Sequence, residues 1–186
     1  KVMKIKQFFT LKLMLITTIL LSCSGFSQAK QQSFAPELKI FEAYLGTWEA
    51  VFKEENGVPT VVDVSKWERA LNGKALRTLH SINNGEYGGE SIIFFDNKAG
   101  TLKFYYFTTA DFYTQGRIEV LDNNTFVAYE KVTGESAMSQ GISEVKSTSK
   151  SNGTEMIVET SYLKNGKWTK PDTRKYTRSD KEVLFK

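Results

Sequence analysis

The chain has 186 residues, of which 40% are apolar and 13% aromatic, with one cysteine and one histidine. That length supports a single domain with a proper core, and the poverty of His and Cys argues against a zinc site. The formal charge of +4 comes wholly from four lysines near the start, Lys1, Lys4, Lys6 and Lys12. Without them 21 basic residues face 21 acidic ones, so the rest of the chain lacks the basic footprint that nucleic acid or an anionic membrane would need.

In chain order, residues 1–29 read as a secretory signal peptide: lysines, then Leu13 to Leu21 as an apolar run, then small and polar residues through Ser27-Gln28-Ala29. Met3 reads as the initiator. The apolar run is short of the ~20 residues a membrane-spanning helix needs. Two processing routes stay open, cleavage after Ala29 or lipidation at Cys23, where Leu20-Leu21-Ser22-Cys23 is similar to a bacterial lipoprotein box. The expected location is accordingly secreted or periplasmic, or anchored to the outer membrane. With Cys23 in the leader, residues 30–186 hold no cysteine and gain nothing from disulfides.

Gln31-Gln32-Ser33 reads as a loose tether. Ala35-Pro36-Glu37 then starts the one segment with a helical period, with Leu38, Phe41, Tyr44 and Leu45 on one side and Gly46 as the stop. Ten strands follow, at 47–54, 60–71, 74–82, 88–96, 101–109, 112–121, 125–132, 137–150, 154–164 and 173–179. Between them stand Asn/Gly/Asp turn signals such as Asn72-Gly73, Asn83-Asn84-Gly85 and Asn165-Gly166, which tolerate positive φ and join antiparallel neighbours. Consecutive hairpins must expose two edges or close. The expected fold is all-β: one antiparallel up-and-down barrel of about ten strands, residues 30–186, with the short N-terminal helix plugging one end.

Alternation assigns an inside to several strands. Trp48, Ala50 and Phe52 share one face, as do Ile118 and Val120, and Met156, Val158, Thr160 and Tyr162. Two neighbouring strands, Ile92-Ile93-Phe94-Phe95 and Phe104-Tyr105-Tyr106-Phe107, are apolar on both parities. Their outer faces call for cover by the helix or by a partner subunit, so a homodimer is an expected partner arrangement.

Gly46-Thr47-Trp48, placed between a short helix and the first strand, resembles the Gly-x-Trp signature of lipocalins and related calycin barrels. The resemblance implies that Trp48 packs across the closed end beneath a basic residue of the last strand, here Arg178, as a cation–π pair. Trp67 to Leu76, Gly89 to Asp96, and Gly166-Lys167-Trp168 to Arg178 are similar to a bacterial family of secreted lipocalin-like proteins of unknown function. That similarity implies a calycin barrel and no particular activity.

His80, the one histidine, shares parity with Leu76, Thr78 and Ile82. It is either an axial haem ligand or a hydrogen-bonded histidine of the wall. No Gly-x-Ser-x-Gly elbow or thiol accompanies it, so a nucleophilic enzyme is not expected. Glu68, Glu90, Asp96 and Glu130 could act as paired carboxylates only if they met across the lumen; Asp96 suits a turn cap and Glu90 a solvated face. The aromatic residues point further: Phe52, Phe94, Phe104, Tyr106, Phe112, Phe126 and Tyr162 are inward candidates, either filling the core or walling an apolar cavity, with Thr78, His80 and Tyr162 to orient a ligand. The expected function is a secreted, non-enzymatic barrel that binds a small hydrophobic or amphipathic molecule without a cofactor. Alternatives are a haem barrel using His80 and a filled scaffold working through protein contacts.

Overall fold

The computed structural model describes residues 33–53 and 60–186. The expected leader with Cys23 and its cleavage site, the Gln31-Gln32 part of the tether, and the turn carrying Pro59 lie outside the described residues.

Eleven strands form one antiparallel sheet: β1 (Gly46–Lys53), β2 (Thr60–Ala70), β3 (Ala75–Ile82), β4 (Tyr87–Asp96), β5 (Thr101–Thr108), β6 (Tyr113–Val120), β7 (Thr125–Lys131), β8 (Ile142–Ser151), β9 (Glu155–Lys164), β10 (Lys167–Trp168) and β11 (Asp172–Arg178). Neighbours in sequence pair from β1 through β9; β9 then pairs with β11, and β11 returns to β1 with Trp48 opposite Arg178. The ring is therefore a closed barrel of ten strands, with no free long edge. The two-residue β10 sits outside that ring as the return arm of the Asn165-Gly166 hairpin, pairing Lys167 with Lys164. Both turn residues have positive φ, +50° and +76°, the requirement of a two-residue hairpin turn.

The basal end is where β1 starts and β2 stops. The predicted helix there is a 3-10 helix, Pro36–Tyr44. Its wholly buried residues Leu38, Phe41 and Tyr44 recur every three positions, so they eclipse on one face at three residues per turn. The Phe41 ring meets Phe126 at 5.3 Å and the Tyr44 ring stacks on Trp67 at 5.3 Å. The Tyr44 hydroxyl lies 2.7 and 2.9 Å from the Asn124 and Ser149 carbonyls. Side-chain packing thus selects the tighter helix over the α-helix its period suggested.

The predicted strand 137–150 begins later than expected. Glu135–Ser139 forms a short helix, α1, and Gly141 (φ +77°) turns the chain into β8 at Ile142. Ser136-Ala137-Met138-Ser139 offers little β preference, and the Gly141 N–H closes the turn on the Met138 carbonyl at 2.9 Å.

After β11 the chain crosses the outer wall. The Ser179 N–H bonds the Thr47 carbonyl at 3.1 Å, Lys181 pairs with Glu49, and the Leu184 N–H reaches Ser81 Oγ at 3.3 Å. This strap buries the outward Ser81. It also runs over Gly88, where a side chain would press on the Phe185 ring at 3.1 Å.

Candidate functional site

Cross-strand register decides which side chains enter the lumen, because directly opposed residues share a face. Trp48 opposes Ser65, Ser65 opposes His80, and His80 opposes Gly89; Leu76 opposes Ile93, which opposes Phe104. The series continues through Gly116, Glu130, Val145 and Tyr162. The lumen has two unlike halves.

The basal half is apolar and largely filled. Trp48, Leu76, Ile93, Leu102, Phe104, Ile118, Phe126, Met156 and Tyr176 form one buried cluster with Leu38, Phe41 and Tyr44. Arg178 stands over the Trp48 ring at 3.7 Å, and the Trp48 indole N–H donates to the Tyr44 carbonyl at 2.7 Å. Arg178 also donates to the Gly153 carbonyl at 2.8 Å and to the Leu45 carbonyl. Burial pulls its pKa below the ordinary guanidinium value. Gly46 has φ +110°, and a Cβ there would lie 2.5 Å from Arg178 Nη1. Only glycine leaves the guanidinium room above the indole.

The upper half is open and polar. A cavity of about 910 Å³ is lined by Tyr87, Tyr106, Phe112, Thr114, Glu130, Val145 and Tyr162, with the 110–112 and 132–135 connections at its mouth. A smaller pocket of about 240 Å³ lies deeper, between Trp67, Thr78, Ile93, Phe104, Phe126 and Ala128. Tyr106 and Glu130 line both, so the two spaces adjoin.

A polar line runs along the wall from β2 to β5. The Tyr176 hydroxyl donates to Asp63 Oδ2 at 2.8 Å, and Asp63 Oδ1 lies 3.4 Å from His80 Nδ1. His80 Nε2 is 2.6 Å from the Tyr106 hydroxyl, itself 3.1 Å from that of Tyr87. Burial raises the phenol pKa of Tyr176, Tyr106 and Tyr87. On the facing wall, burial raises the Glu130 carboxyl above the usual carboxylate range, opposed by the neighbouring Thr114 hydroxyl. The Thr114 hydroxyl is buried and makes no hydrogen bond of proper geometry.

Of the residues singled out from sequence, Thr78, Tyr106, Phe112 and Tyr162 stand around the two cavities, His80 lies behind Tyr106 and lines neither, and Phe104 and Phe126 fill the base and edge the deeper pocket. Phe52 faces inward from the upper part of β1, its ring 4.2 Å beneath the Arg174 guanidinium, which Asp172 also holds. Phe94 is a correction. It opposes Ala75 and Lys103 on the outer face, and its ring stacks on Tyr105 at 6.3 Å. Ile92-Ile93-Phe94-Phe95 is apolar on both parities, so alternation alone could not show that Ile93 and Phe95 are the inward pair. Phe94, Tyr105, Phe107 and Tyr113 form a ladder of rings along the outer wall; Phe107 and Tyr113 are half exposed.

The four carboxylates do not meet across the lumen. Glu68 and Glu90 bind Arg77 on the outer face, and Asp96 Oδ1 accepts the Lys98 and Ala99 N–H groups at 2.9 and 3.1 Å in the β4–β5 turn. Only Glu130 turns inward. Asp63, Tyr87 and Thr114 were not singled out from sequence. The one signal for Asp63 was its shared parity with Ser65 and Trp67 in a strand whose opposite parity is equally mixed. Both ring nitrogens of His80 face partners, so an iron there would have to break the Tyr106 or the Asp63 contact; the site does not fit an axial haem ligand. Among the described residues no three His, Asp or Glu side chains gather as a metal site. Comparison with models of known families finds none that matches the chain, and comparison with curated proteins finds no match either.

Proposed function

We propose that the protein is a non-enzymatic, secreted container of the lipocalin-like kind, which holds one small amphipathic molecule in the upper lumen. The observation that carries the reading is the division of the barrel: a base largely filled by aromatic residues and an upper cavity of about 910 Å³. Ligand sites commonly occupy ~300–1,000 Å³, walled by apolar and aromatic side chains with a few placed polar groups. Tyr106, Thr114 and Glu130 would supply the polar groups, and the pocket between Ile93, Phe104 and Phe126 the apolar end. The 3-10 helix acts as the basal plug, with Trp48 and Arg178 as its seal. The apolar leader with its small-residue end supports secretion.

The test is titration with the neutral fluorophore phenylnaphthylamine. One saturable site per chain is expected, abolished by Val145→Trp, which fills the upper cavity, with circular dichroism confirming an intact barrel. Absence of saturable binding, or binding that Val145→Trp leaves unchanged, would remove the container reading. A second reading rests on the outer ladder Phe94, Tyr105, Phe107 and Tyr113, which would bury its exposed rings in a homodimer. Sedimentation of wild type against Phe107→Lys distinguishes the two: a dimer dissociated by the substitution supports contact, a monomer throughout excludes it.

A further inference from the structure

We infer that the molecule held in the upper lumen is an organic cation, an alkyl- or arylammonium whose charged head sits against Glu130 within a wall of Tyr87, Tyr106, Phe112 and Tyr162. This rests on the container reading and names its ligand class. Four features of the cavity carry it.

The first is charge. The residues lining the upper cavity include the carboxylates of Asp111, Glu130 and Glu135 and, among the described residues, no lysine, arginine or histidine. A fatty-acid carboxylate would enter a region of like charge with no cation to receive it. The inward cation of the upper wall, Arg174, is held by Phe52 and Asp172 and does not line the cavity.

The second is the wall. Three tyrosines and a phenylalanine line the same space as Glu130, and aromatic faces attract a cation most strongly when it is desolvated. Quaternary and substituted ammonium groups are weakly hydrated enough to exploit such faces.

The third is an incomplete polar set. Thr114 is 3% exposed, lines the cavity, and its hydroxyl, although near Glu130, makes no hydrogen bond of proper geometry. Buried polar groups are nearly always satisfied, so an unsatisfied one facing a cavity points to a group that arrives with the ligand. An ammonium N–H, or the polarised CH of a methylated ammonium, meets that need beside Glu130.

The fourth is the cost of Glu130 itself. It turns inward from β7 opposite Gly116 and Val145, between Thr114 on β6 and Tyr162 on β9, with Tyr106 and Tyr87 across the cavity; Asp63 and His80 lie beyond Tyr106. No cationic side chain lines the cavity beside it, and burial raises its carboxyl above the usual carboxylate range. A bound ammonium would supply the missing counter-charge and pull the carboxyl back down, releasing protons where the pH lies near the raised value. The apolar tail would then extend past Tyr106 into the deeper pocket.

The experiment is calorimetric titration of the full chain with three probes of equal length: octyltrimethylammonium, octanol and octanoate. The ammonium is expected to bind at least tenfold tighter than octanol and a hundredfold tighter than octanoate. Because a quaternary ammonium carries no proton, proton release seen by repeating the titration in buffers of different ionisation enthalpy must come from the protein. Glu130→Gln should lower the ammonium-to-octanol affinity ratio at least tenfold and abolish the release. Octanol and octanoate binding with no preference for the ammonium would overturn this inference and leave the container standing. An unchanged ratio and release in Glu130→Gln would overturn it as well. If none of the three probes binds, the container reading itself falls.

Discussion

Replacing Gly46 by alanine tests the reason for glycine beside the basal seal. The residue sits at φ +110°, where an L side chain costs ~1–3 kcal/mol in backbone strain. The new Cβ would also stand 2.5 Å from Arg178 Nη1, so the guanidinium must shift from its place 3.7 Å over Trp48. Losing that cation–π contact adds ~0.5–2 kcal/mol. The two together amount to about 1.5–5 kcal/mol, and at ~2–4 °C per kcal/mol for a domain of this size the melting temperature should fall by roughly 3–20 °C. Thermal unfolding followed by circular dichroism measures the fall. A double-mutant cycle separates its parts: Arg178→Ala alone loses the contact, and in that background Gly46→Ala should cost only the strain, leaving a coupling of about 1 kcal/mol. A melting temperature for Gly46→Ala within about 2 °C of wild type would refute the reasoning. Strict additivity with Arg178→Ala would refute the steric part alone.

Tyr176→Phe removes the phenol that donates to Asp63 Oδ2 at 2.8 Å, leaving a buried carboxylate whose other oxygen already lacks a hydrogen bond. Urea unfolding should show a loss of ~1–3 kcal/mol, and a loss under about 0.5 kcal/mol would mean that Asp63 finds another partner. Glu130 gives a pH dependence of definite sign. Its folded pKa is raised, so the folded state holds a proton the unfolded chain has lost, and stability declines as pH rises from the ordinary carboxylate value through the raised one. Glu130→Gln should flatten that decline, making the variant relatively more stable at neutral pH than at about pH 4. Parallel melting-temperature profiles for the two proteins would show that the carboxyl is solvated. Tryptophan at Val145 should abolish phenylnaphthylamine binding while the lysine substitution at Phe107 leaves it intact, since one side chain enters the cavity and the other lies on the outer wall.

The sequence was enough for the closed barrel and for the pairing of Trp48 with Arg178. Turn residues that accept positive φ are written locally, so Asn165-Gly166 and Asn83-Asn84-Gly85 announced their hairpins, and about ten meandering strands, which must expose two edges or close, pointed to the barrel that the strand pairing shows. Where one parity is apolar and the other polar, as in β6 and β9, side-chain facing was legible too. Three matters waited for the tertiary structure. The helix type followed from how Leu38, Phe41 and Tyr44 meet Trp67 and Phe126, contacts far apart in sequence. The facing of Phe94 depended on register with β3 and β5, because both parities of its strand are apolar. The character of the lumen depended on which polar residues of seven different strands converge. His80, Tyr106, Glu130 and Tyr162 were visible as candidates and Asp63, Tyr87 and Thr114 were not; barrel closure puts Tyr87, Tyr106, Thr114, Glu130 and Tyr162 around one space, with His80 and Asp63 behind Tyr106. Local propensity is encoded residue by residue, whereas a cavity is a property of strands that become neighbours only when the ring shuts.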